Sequence, residues 1–287
     1  MQVGLSIYSL LDALNKGMSL EDAIQWIKDN GGEHMEIVEF AVHPEIEGVV
    51  ERIRTKAEAI GLRISGYCTP GNVLTGDPEQ DRAAVEKLKG QIDIGHRLGA
   101  PRVRCDLSQW GRAAEDNVIE NYQRDLPWLI EVCRELADYA AGYGMILTVE
   151  NHGTYINGGD RVRQLILGVD RPNFRCTLDV GNAICVDEDP LKCMEALLPF
   201  AATVHFKDFY LRDDDLLLDK EGWMKTNGGR YFRGAIVGQG ELPVAKLMKK
   251  LKESGYDGDV CIEFEGVEDC CNGSRISMAN VRTLSQL

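Results

Sequence analysis

The feature that most constrains the fold is an alternation, along the whole chain, between short apolar runs and longer segments of helical period. Short runs rich in β-branched residues are typical of strands, and apolar residues three to four apart are typical of helices. Strands that alternate with helices form parallel sheets. The predicted strands are Val3–Tyr8, His34–Glu39, Leu62–Cys68, Arg102–Asp106, Met145–Glu150, Arg175–Val180, Thr203–Asp208 and Asp259–Phe264.

Helix boundary signals lie between these runs. Ser19 is a predicted N-cap, and a glycine follows most of the helical segments just before the next strand. The predicted helices are Ser19–Asn30, Pro44–Ile60, Pro78–Leu98, Asp125–Gly144, Leu191–Leu198 and Pro243–Ser254.

Eight strand units predict an α/β protein built as a single (β/α)₈ TIM barrel, for which 287 residues is an ordinary length. An open dinucleotide-binding sheet would carry GxGxxG after its first strand, where this chain reads SIYSLLDAL. We expect one domain, residues 1–287, with a long loop excursion at about 209–240 between the seventh and eighth strands. Such a segment leaves the active-site face of a barrel, so it predicts a lid or substrate wall.

Net charge and cysteine content limit the kinds of binding partner and the cellular compartment that we expect. The net charge of −14 repels phosphate backbones and anionic lipids, so neither nucleic acid nor a membrane is expected as a partner. The nine cysteines include no CxxC pair, which favours free thiols in a reducing compartment. The first residues lack the pattern of a signal peptide, and no apolar run is long enough for a membrane span. We expect a cytoplasmic protein, and a homo-oligomer because barrels often bury exposed helices between subunits.

Polar side chains end four consecutive predicted strands. The fifth strand ends in Glu150, the sixth in Asp179 and the eighth in Glu263, and the seventh carries His205. Residues at the carboxyl ends of barrel strands surround one mouth. Three carboxylates and an imidazole are ligands for one divalent ion, with Mn²⁺ expected first and Mg²⁺, Co²⁺ or Zn²⁺ as alternatives. Without a cation these carboxylates would repel one another.

The segments VENHG, LDVGNA, VHFKD and GYDGDVCIEFEG, with MEIVEF and GQGELP, resemble the sugar phosphate isomerase/epimerase family of the xylose isomerase-like TIM-barrel superfamily. The resemblance covers most of the chain and is most specific in its second half. It implies that Glu150, Asp179, His205 and Glu263 are the metal ligands.

The same resemblance implies a reaction. In the ketose epimerases of this family the two glutamate ligands, here Glu150 and Glu263, also act as catalytic acid and base. One would remove a proton next to a carbonyl, and the other would return a proton to the opposite face of a metal-stabilised enediolate. The resemblance therefore implies an isomerase or epimerase of a sugar, sugar phosphate or keto-sugar, with a small sugar or polyol as substrate.

Two positions depart from those epimerases, and both concern substrate binding. Asn182 occupies the place of a substrate-contacting histidine three residues after the metal-binding aspartate. Arg212 is one position out of register with a substrate-binding arginine. These departures argue against a simple free ketose and leave larger, phosphorylated, oxidised or glycosidic substrates open.

Three further residues are candidate substrate contacts with structural alternatives. His152 either contacts substrate, orients Glu150, or satisfies its own loop. Lys207 either stabilises the enediolate or pairs with Glu265. Glu36, in the second strand, either contacts substrate or is an inward structural carboxylate. Arg104 suits an anionic substrate group or an ion pair, and Trp110 and Trp223 suit stacking on a sugar or ordinary packing.

Other functions remain open. An inosose-type dehydratase would use the same site and the same proton abstraction, followed by loss of a hydroxyl. A non-catalytic barrel would bind sugar or metal without turnover. A DNA-repair endonuclease of this fold would need a three-zinc site with more histidines than the five present, and the acidic charge opposes DNA binding.

Overall fold

The computed structural model describes residues 1–213 and 217–287, and its centre is a closed barrel of eight parallel strands. Around the barrel the order is β1-β11-β7-β6-β5-β4-β3-β2. These strands are β1 (Gln2–Ser6), β2 (His34–Val38), β3 (Arg63–Thr69), β4 (Arg102–Cys105), β5 (Ile146–Glu150), β6 (Phe174–Asp179), β7 (Ala201–Phe206) and β11 (Asp259–Ile262). The chain is therefore a (β/α)₈ TIM barrel, and all eight predicted strands are present with small shifts at their ends.

The strand pattern determines which side chains face the helices. Val149, Leu178, Val204 and Ile262 are buried in the apolar layer between barrel and helices, as alternation along each strand predicts. Parallel pairing aligns neighbouring strands, so that Asp179 in β6 is level with His205 in β7. The polar residues left on the inner face consequently meet at the carboxyl ends of the strands.

Helices pack outside the barrel, and all six of those predicted are present with changed ends. The helix predicted from Pro44 begins only at Val49, because His43 and Gly48 both have positive φ values, 51° and 78°, that helices exclude. The bounds are α1 Leu11–Asn15, α2 Leu20–Asp29, α3 Glu39–Val42, α4 Val49–Ala59, α5 Pro78–Arg97, α6 Ile119–Ala141, α7 Gly159–Val169, α8 Pro190–Leu197, α9 Val244–Glu253 and α10 Cys270–Gln286. Single 3₁₀ turns cover Ile7–Leu10, Ala114–Asp116, Asn182–Val186 and Leu198–Phe200.

Side-chain caps fix several helix starts. The Ser19 hydroxyl accepts a hydrogen bond from the Asp22 amide at 3.1 Å, as predicted for the N-cap of α2. Asp77, Asp189 and Asp269 cap α5, α8 and α10 in the same way. None of the helices within the described residues is both long and apolar enough to cross a bilayer.

The segment between β7 and β11 contributes a small antiparallel sheet, which we call the inserted sheet. Its strands are β8 (Asp208–Arg212), β9 (Met224–Lys225) and β10 (Tyr231–Ala235), in the order β8-β10-β9. Residues 214–216 of the predicted excursion, including Asp214 and Asp215 of the acidic run, lie outside the described residues.

One buried carboxylate holds the base of the inserted sheet in place through hydrogen bonds. Asp208 accepts hydrogen bonds from the amides of Phe209, Gly238, Gly240 and Leu242, at 2.8–3.1 Å. A Cβ at Gly240 would lie 2.3 Å from the Asp208 carboxylate, so this close approach requires glycine. The GQG sequence at 238–240 is thus a turn built around Asp208.

Candidate metal centre and active site

Four predicted ligands converge at the carboxyl end of the barrel. Glu150 and Asp179 are the last residues of β5 and β6, His205 is the penultimate position of β7, and Glu263 follows β11. One ligand atom from each lies within 4.8 Å of the others, and all four residues are buried. The barrel brings together side chains up to 113 positions apart because each follows a neighbouring strand.

The donor atoms of this group fit a divalent cation. Asp179 Oδ2 and His205 Nδ1 are buried, have no hydrogen-bond partner, and lie 4.0 Å apart. His205 Nδ1 is also 3.7 Å from Glu150 Oε1 and 3.4 Å from Glu263 Oε1. Buried polar atoms without partners are costly and rare. Three carboxylate oxygens and one imidazole nitrogen facing one point form a donor set suited to Mn²⁺, Mg²⁺ or a related ion.

Neighbouring groups orient two of the ligands. Asp179 Oδ1 accepts from the amides of Gly181 and Asn182, both at 2.7 Å, which leaves Oδ2 to face the centre. Glu36 Oε2 lies 3.1 Å from His205 Nε2, which turns Nδ1 toward the other ligands. Partners of this kind fix ring orientation and raise ligand basicity at metal sites. The structure therefore places Glu36 behind His205 rather than at a position that borders a substrate cavity.

Asn151 is a supporting residue that the sequence interpretation missed. Its side-chain amide donates to the Asp179 carbonyl at 2.8 Å, and its oxygen accepts from the Asp179 amide at 2.9 Å. These two bonds join the ends of β5 and β6. Asn151 lies between Glu150 and His152 in the sequence, and its outward position in the strand alternation gave no sign of this role.

Glu150 is held by two donors. Arg104, in β4, donates from Nη1 to Glu150 Oε2, and Asn182 Nδ2 donates to Glu150 Oε1 at 3.0 Å. Asn182 lines the cavity above the centre, as expected of a substrate contact, and it also fixes this ligand. The ion-pair alternative for Arg104 is the arrangement observed.

Lys207 contacts three carboxylates. Its Nζ lies 3.2 Å from Asp179 Oδ2, 2.7 Å from Glu263 Oε2 and 2.8 Å from Glu265 Oε1. Both roles considered for Lys207 agree with this position, because the side chain pairs with Glu265 and also borders the cavity.

The site carries an excess of negative charge. Six carboxylates surround it, and only two side chains with permanent positive charge, Arg104 and Lys207, contact them within the described residues. The carboxylates are Glu36, Asp106, Glu150, Asp179, Glu263 and Glu265. Like charges in a buried region are unfavourable unless protons or a cation neutralise them.

The pKa values reflect this crowding. Burial, together with the charges of Glu150 and Glu263, raises the pKa of Asp179 to about 7. Burial opposes protonation of His205, but Glu36 and Glu263 outweigh it and raise the His205 pKa well above its ordinary value. Burial also opposes ionisation of Glu263, yet Lys207 and His205 hold the Glu263 pKa well below its usual range. The cluster therefore attracts positive charge, which a divalent ion would supply.

His152 forms a second group with Asp106, a residue that the sequence interpretation did not single out. His152 Nδ1 lies 3.4 Å from Asp106 Oδ2, and Arg104 Nε lies 3.5 Å from Asp106 Oδ1. Burial lowers the His152 pKa, but Asp106 outweighs it and the net shift is upward. The sequence did contain one sign of this group, because Asp106 ends the fourth predicted strand, two positions after Arg104.

A cavity of about 470 Å³ opens above the centre. Glu263, Lys207, His152 and Asn182 reach it from the strands that carry the ligands. Tyr8, Phe40 and Trp110 line it from the loops of the first half of the barrel, and Met224 and Phe232 from the inserted sheet. The cavity thus joins the candidate metal centre to a more apolar region.

Arg212 and Trp223 lie apart from this cavity. Arg212 pairs with Glu241 at 2.5 Å, and its guanidinium lies 6.0 Å from the Trp223 ring centroid. Neither residue lines the cavity. The structure thus gives Arg212 no contact with the region that its predicted substrate role requires, because β8 carries it outward into the inserted sheet.

Fold and site together define a TIM barrel with a candidate metal centre at the carboxyl ends of its strands. The chain matches the family model of xylose isomerase-like TIM barrels over residues 24–286, and it belongs to that family.

Curated relatives include an epimerase and a dehydratase. A fructoselysine 3-epimerase from Shigella flexneri is 24% identical over 237 residues, which cover 78% of this chain and 76% of that protein. An inosose dehydratase from Lacticaseibacillus casei is 23% identical over 213 residues, covering 71% and 70%. These relatives support a sugar epimerase or isomerase type of enzyme.

The fold is shared with a solved epimerase. A crystal structure of D-psicose 3-epimerase with D-tagatose from Clostridium cellulolyticum H10 superposes with a TM-score of 0.75 and 14% identity, over 99% of both chains. At 14% sequence identity, this structural similarity shows that the two proteins share a fold.

Proposed function

We propose that the protein is a divalent-metal-dependent epimerase or isomerase of a keto-sugar. The observation that carries the proposal is the group Glu150, Asp179, His205 and Glu263, which includes two buried atoms without a hydrogen-bond partner and lies beneath a cavity wide enough for a sugar. The epimerase relatives support the same reaction class.

Glu263 is the proposed base that removes the proton next to the carbonyl. It borders the cavity, and Lys207 and His205 keep its pKa low, so it is in the ionised form that a general base requires. Lys207, 2.7 Å from Glu263 Oε2, bears a proton that can stabilise negative charge on a substrate oxygen. A divalent ion held by the four ligands would supply Lewis-acid stabilisation of the enediolate charge.

Glu150 is the proposed partner that returns a proton to the opposite face. Its oxygens accept from Arg104 and Asn182 in the structure, and it does not border the cavity. Proton return by Glu150 therefore requires that one of these donors moves when substrate binds and that Glu150 first takes up a proton from solvent. Until then Arg104 and Asn182 hold Glu150 in the position of a ligand.

A dehydratase is the second candidate, and the observation that favours it is the His152–Asp106 pair. His152 borders the cavity, and the carboxylate beside it favours the protonated imidazole. A protonated imidazole at that position can donate to a departing hydroxyl group. The inosose dehydratase relative supports this alternative.

Proton exchange with solvent tests the proposal. The Mn²⁺-loaded protein is incubated in D₂O with a panel of ketoses, keto-glycosides and inososes, and products are followed by NMR and mass spectrometry. Deuterium uptake with inverted configuration or a moved carbonyl supports an epimerase or isomerase, whereas loss of water supports the dehydratase. Neither deuterium uptake nor water loss with any member of the panel would contradict both enzymatic readings.

A further inference from the structure

The places where TIM barrels commonly hold a phosphate group are occupied here by the protein's own carboxylates. Such sites form from the loops after the seventh and eighth strands and from a nearby helix N-terminus. After β7, the Gly238 and Gly240 amides both donate to Asp208 at 2.9 Å. After β11, Asp269 caps α10 by accepting from the Asn272 amide at 2.8 Å. The Gly238, Gly240 and Asn272 amides are therefore already paired with carboxylates.

The positively charged side chains beside the cavity are likewise already paired with carboxylates. Among the described residues that line it, Arg104 and Lys207 carry permanent positive charge. Arg104 contacts Glu150 and Asp106, and Lys207 contacts three carboxylates, as described above. A phosphate dianion in this cavity would face Asp106, Glu263 and Glu265 with no uncommitted cation among these lining residues.

Part of the cavity lining is aromatic. Phe40 and Trp110 border the cavity and are 43% and 40% exposed, so both rings are open to a ligand there. The Tyr8 and Phe40 rings meet edge to face at a centroid distance of 5.8 Å. Phe232 and Met224 extend the apolar lining from the inserted sheet.

Trp110 is held in place by the loop that follows β5. Its carbonyl accepts from Thr154 Oγ1 at 3.3 Å. Gly153, with a φ of 64°, packs so closely that an added Cβ would lie 2.7 Å from the same carbonyl oxygen. The backbone of Trp110 is thus fixed, and the 470 Å³ cavity falls in the ~300–1,000 Å³ range of small-molecule sites.

We infer that the substrate is an unphosphorylated keto-sugar with an uncharged apolar substituent, as in an aryl or alkyl glycoside. The inference rests on the proposed function, because it assumes that the sugar lies over the Glu150–Asp179–His205–Glu263 group. The substituent then lies against Trp110 and Phe40, the exposed aromatic side chains of the cavity lining.

The test uses matched keto-sugar ligands that differ in one group at a time. Methyl keto-glycosides, phenyl keto-glycosides and methyl keto-glycoside 6-phosphates of the gluco, galacto and manno series are titrated into the Mn²⁺-loaded protein by calorimetry. We expect at least one phenyl glycoside to bind about tenfold or more tightly than its methyl partner, and no 6-phosphate to bind more tightly than the methyl glycoside. Trp110→Ala should remove most of the phenyl preference, whereas Ile46→Ala, at an exposed position outside the cavity, should keep it.

Three results would overturn the inference: tighter binding of a 6-phosphate than of its methyl glycoside, equal binding of phenyl and methyl partners throughout, or no binding by any phenyl glycoside. Metal content and deuterium exchange are measured on the same preparation. Failure of those two measurements counts against the proposed function, while the ratio between matched ligands separately decides the nature of the substituent.

Discussion

At the scale of single residues, His205 shows how a ligand is aimed by a neighbour. Its Nε2 is taken by Glu36, so Nδ1 faces Glu150, Asp179 and Glu263. We predict that Glu36→Gln lowers the affinity for Mn²⁺ about 10–100-fold, the usual effect of losing a carboxylate behind a ligating histidine. Competition with a fluorescent chelator measures this affinity.

Glu265→Gln is the matched control for that substitution. Glu265 contacts Lys207 but is not one of the four candidate ligands. Equal Mn²⁺ affinity in Glu36→Gln and wild type would show that Glu36 does not support the ligand.

Glu263 permits a separation of metal binding from proton transfer. Glu263→Gln keeps an oxygen that can bind a cation but removes the carboxylate base. Loss of a positioned base costs about 10²–10⁴ in rate, so we predict a fall of that size in deuterium uptake with bound metal retained. Uptake at the wild-type rate in Glu263→Gln would remove Glu263 from the proton transfer.

Residue types and strand position were sufficient to predict that the side chains of Glu150, Asp179, His205 and Glu263 converge. Sequence could not reveal that Asn182 and Arg104 bond to Glu150, because the direction of a side chain depends on neighbours that only the closed barrel supplies. Arg212 illustrates the opposite case, since a short spacing after His205 suggested a substrate contact and β8 instead carries it to Glu241.

At the scale of elements, the inserted sheet depends on Asp208. Replacing Asp208 with alanine leaves the buried Leu242 amide and its glycine neighbours without their acceptor. We predict that Asp208→Ala lowers the free energy of unfolding by at least about 1–3 kcal/mol, the cost of one buried unpaired donor. Urea denaturation followed by circular dichroism measures the change.

Asp208→Asn keeps one acceptor oxygen and should lie between wild type and alanine in stability. Amide exchange adds a local readout, because the Gly238 and Gly240 amides should lose protection in Asp208→Ala. An alanine variant as stable and as protected as wild type would mean that the Asp208 bonds do not anchor the sheet.

Strands were easier to predict than helices for a physical reason. Each barrel strand is a compact apolar run, whereas α7 begins at Gly159 without a side-chain cap and α10 is rich in serine, asparagine and glycine. Both helices are absent from the sequence prediction because packing against the barrel, rather than local propensity, stabilises them. The start of α6 at Ile119 rather than Asp125 has the same origin, since Tyr122 is buried in the core.

At the scale of the whole molecule, ion pairs connect strands at the end of the barrel opposite the candidate site. Asp259, at the start of β11, accepts from Arg63 and Arg102, and buried His34 lies beside it. Although burial opposes its ionisation, these neighbours hold the pKa of Asp259 well below its usual range. Burial lowers the pKa of His34. Both groups are therefore less protonated when folded than when unfolded.

This difference sets the sign of the contribution that each group makes to stability. The contribution of His34 should be lost as pH drops below about 6.5, where unfolded histidine gains a proton, and that of Asp259 below about 4, where unfolded aspartate does. We predict that His34→Gln removes the upper part of this dependence and Asp259→Asn the lower part, measured as thermal midpoints of metal-free protein against pH. Unchanged pH profiles in both variants would contradict the assignment.

Metal content tests the central claim most directly. The tag-free protein is incubated with Mn²⁺, desalted and analysed for bound metal, beside Glu150→Ala, Asp179→Asn and the exposed-site control Glu45→Ala, with folding checked by circular dichroism. We predict about one ion per chain in wild type and in the control, and almost none in the two ligand variants. A wild-type protein without bound metal, or folded ligand variants that bind as wild type does, would contradict a metal centre at Glu150, Asp179, His205 and Glu263.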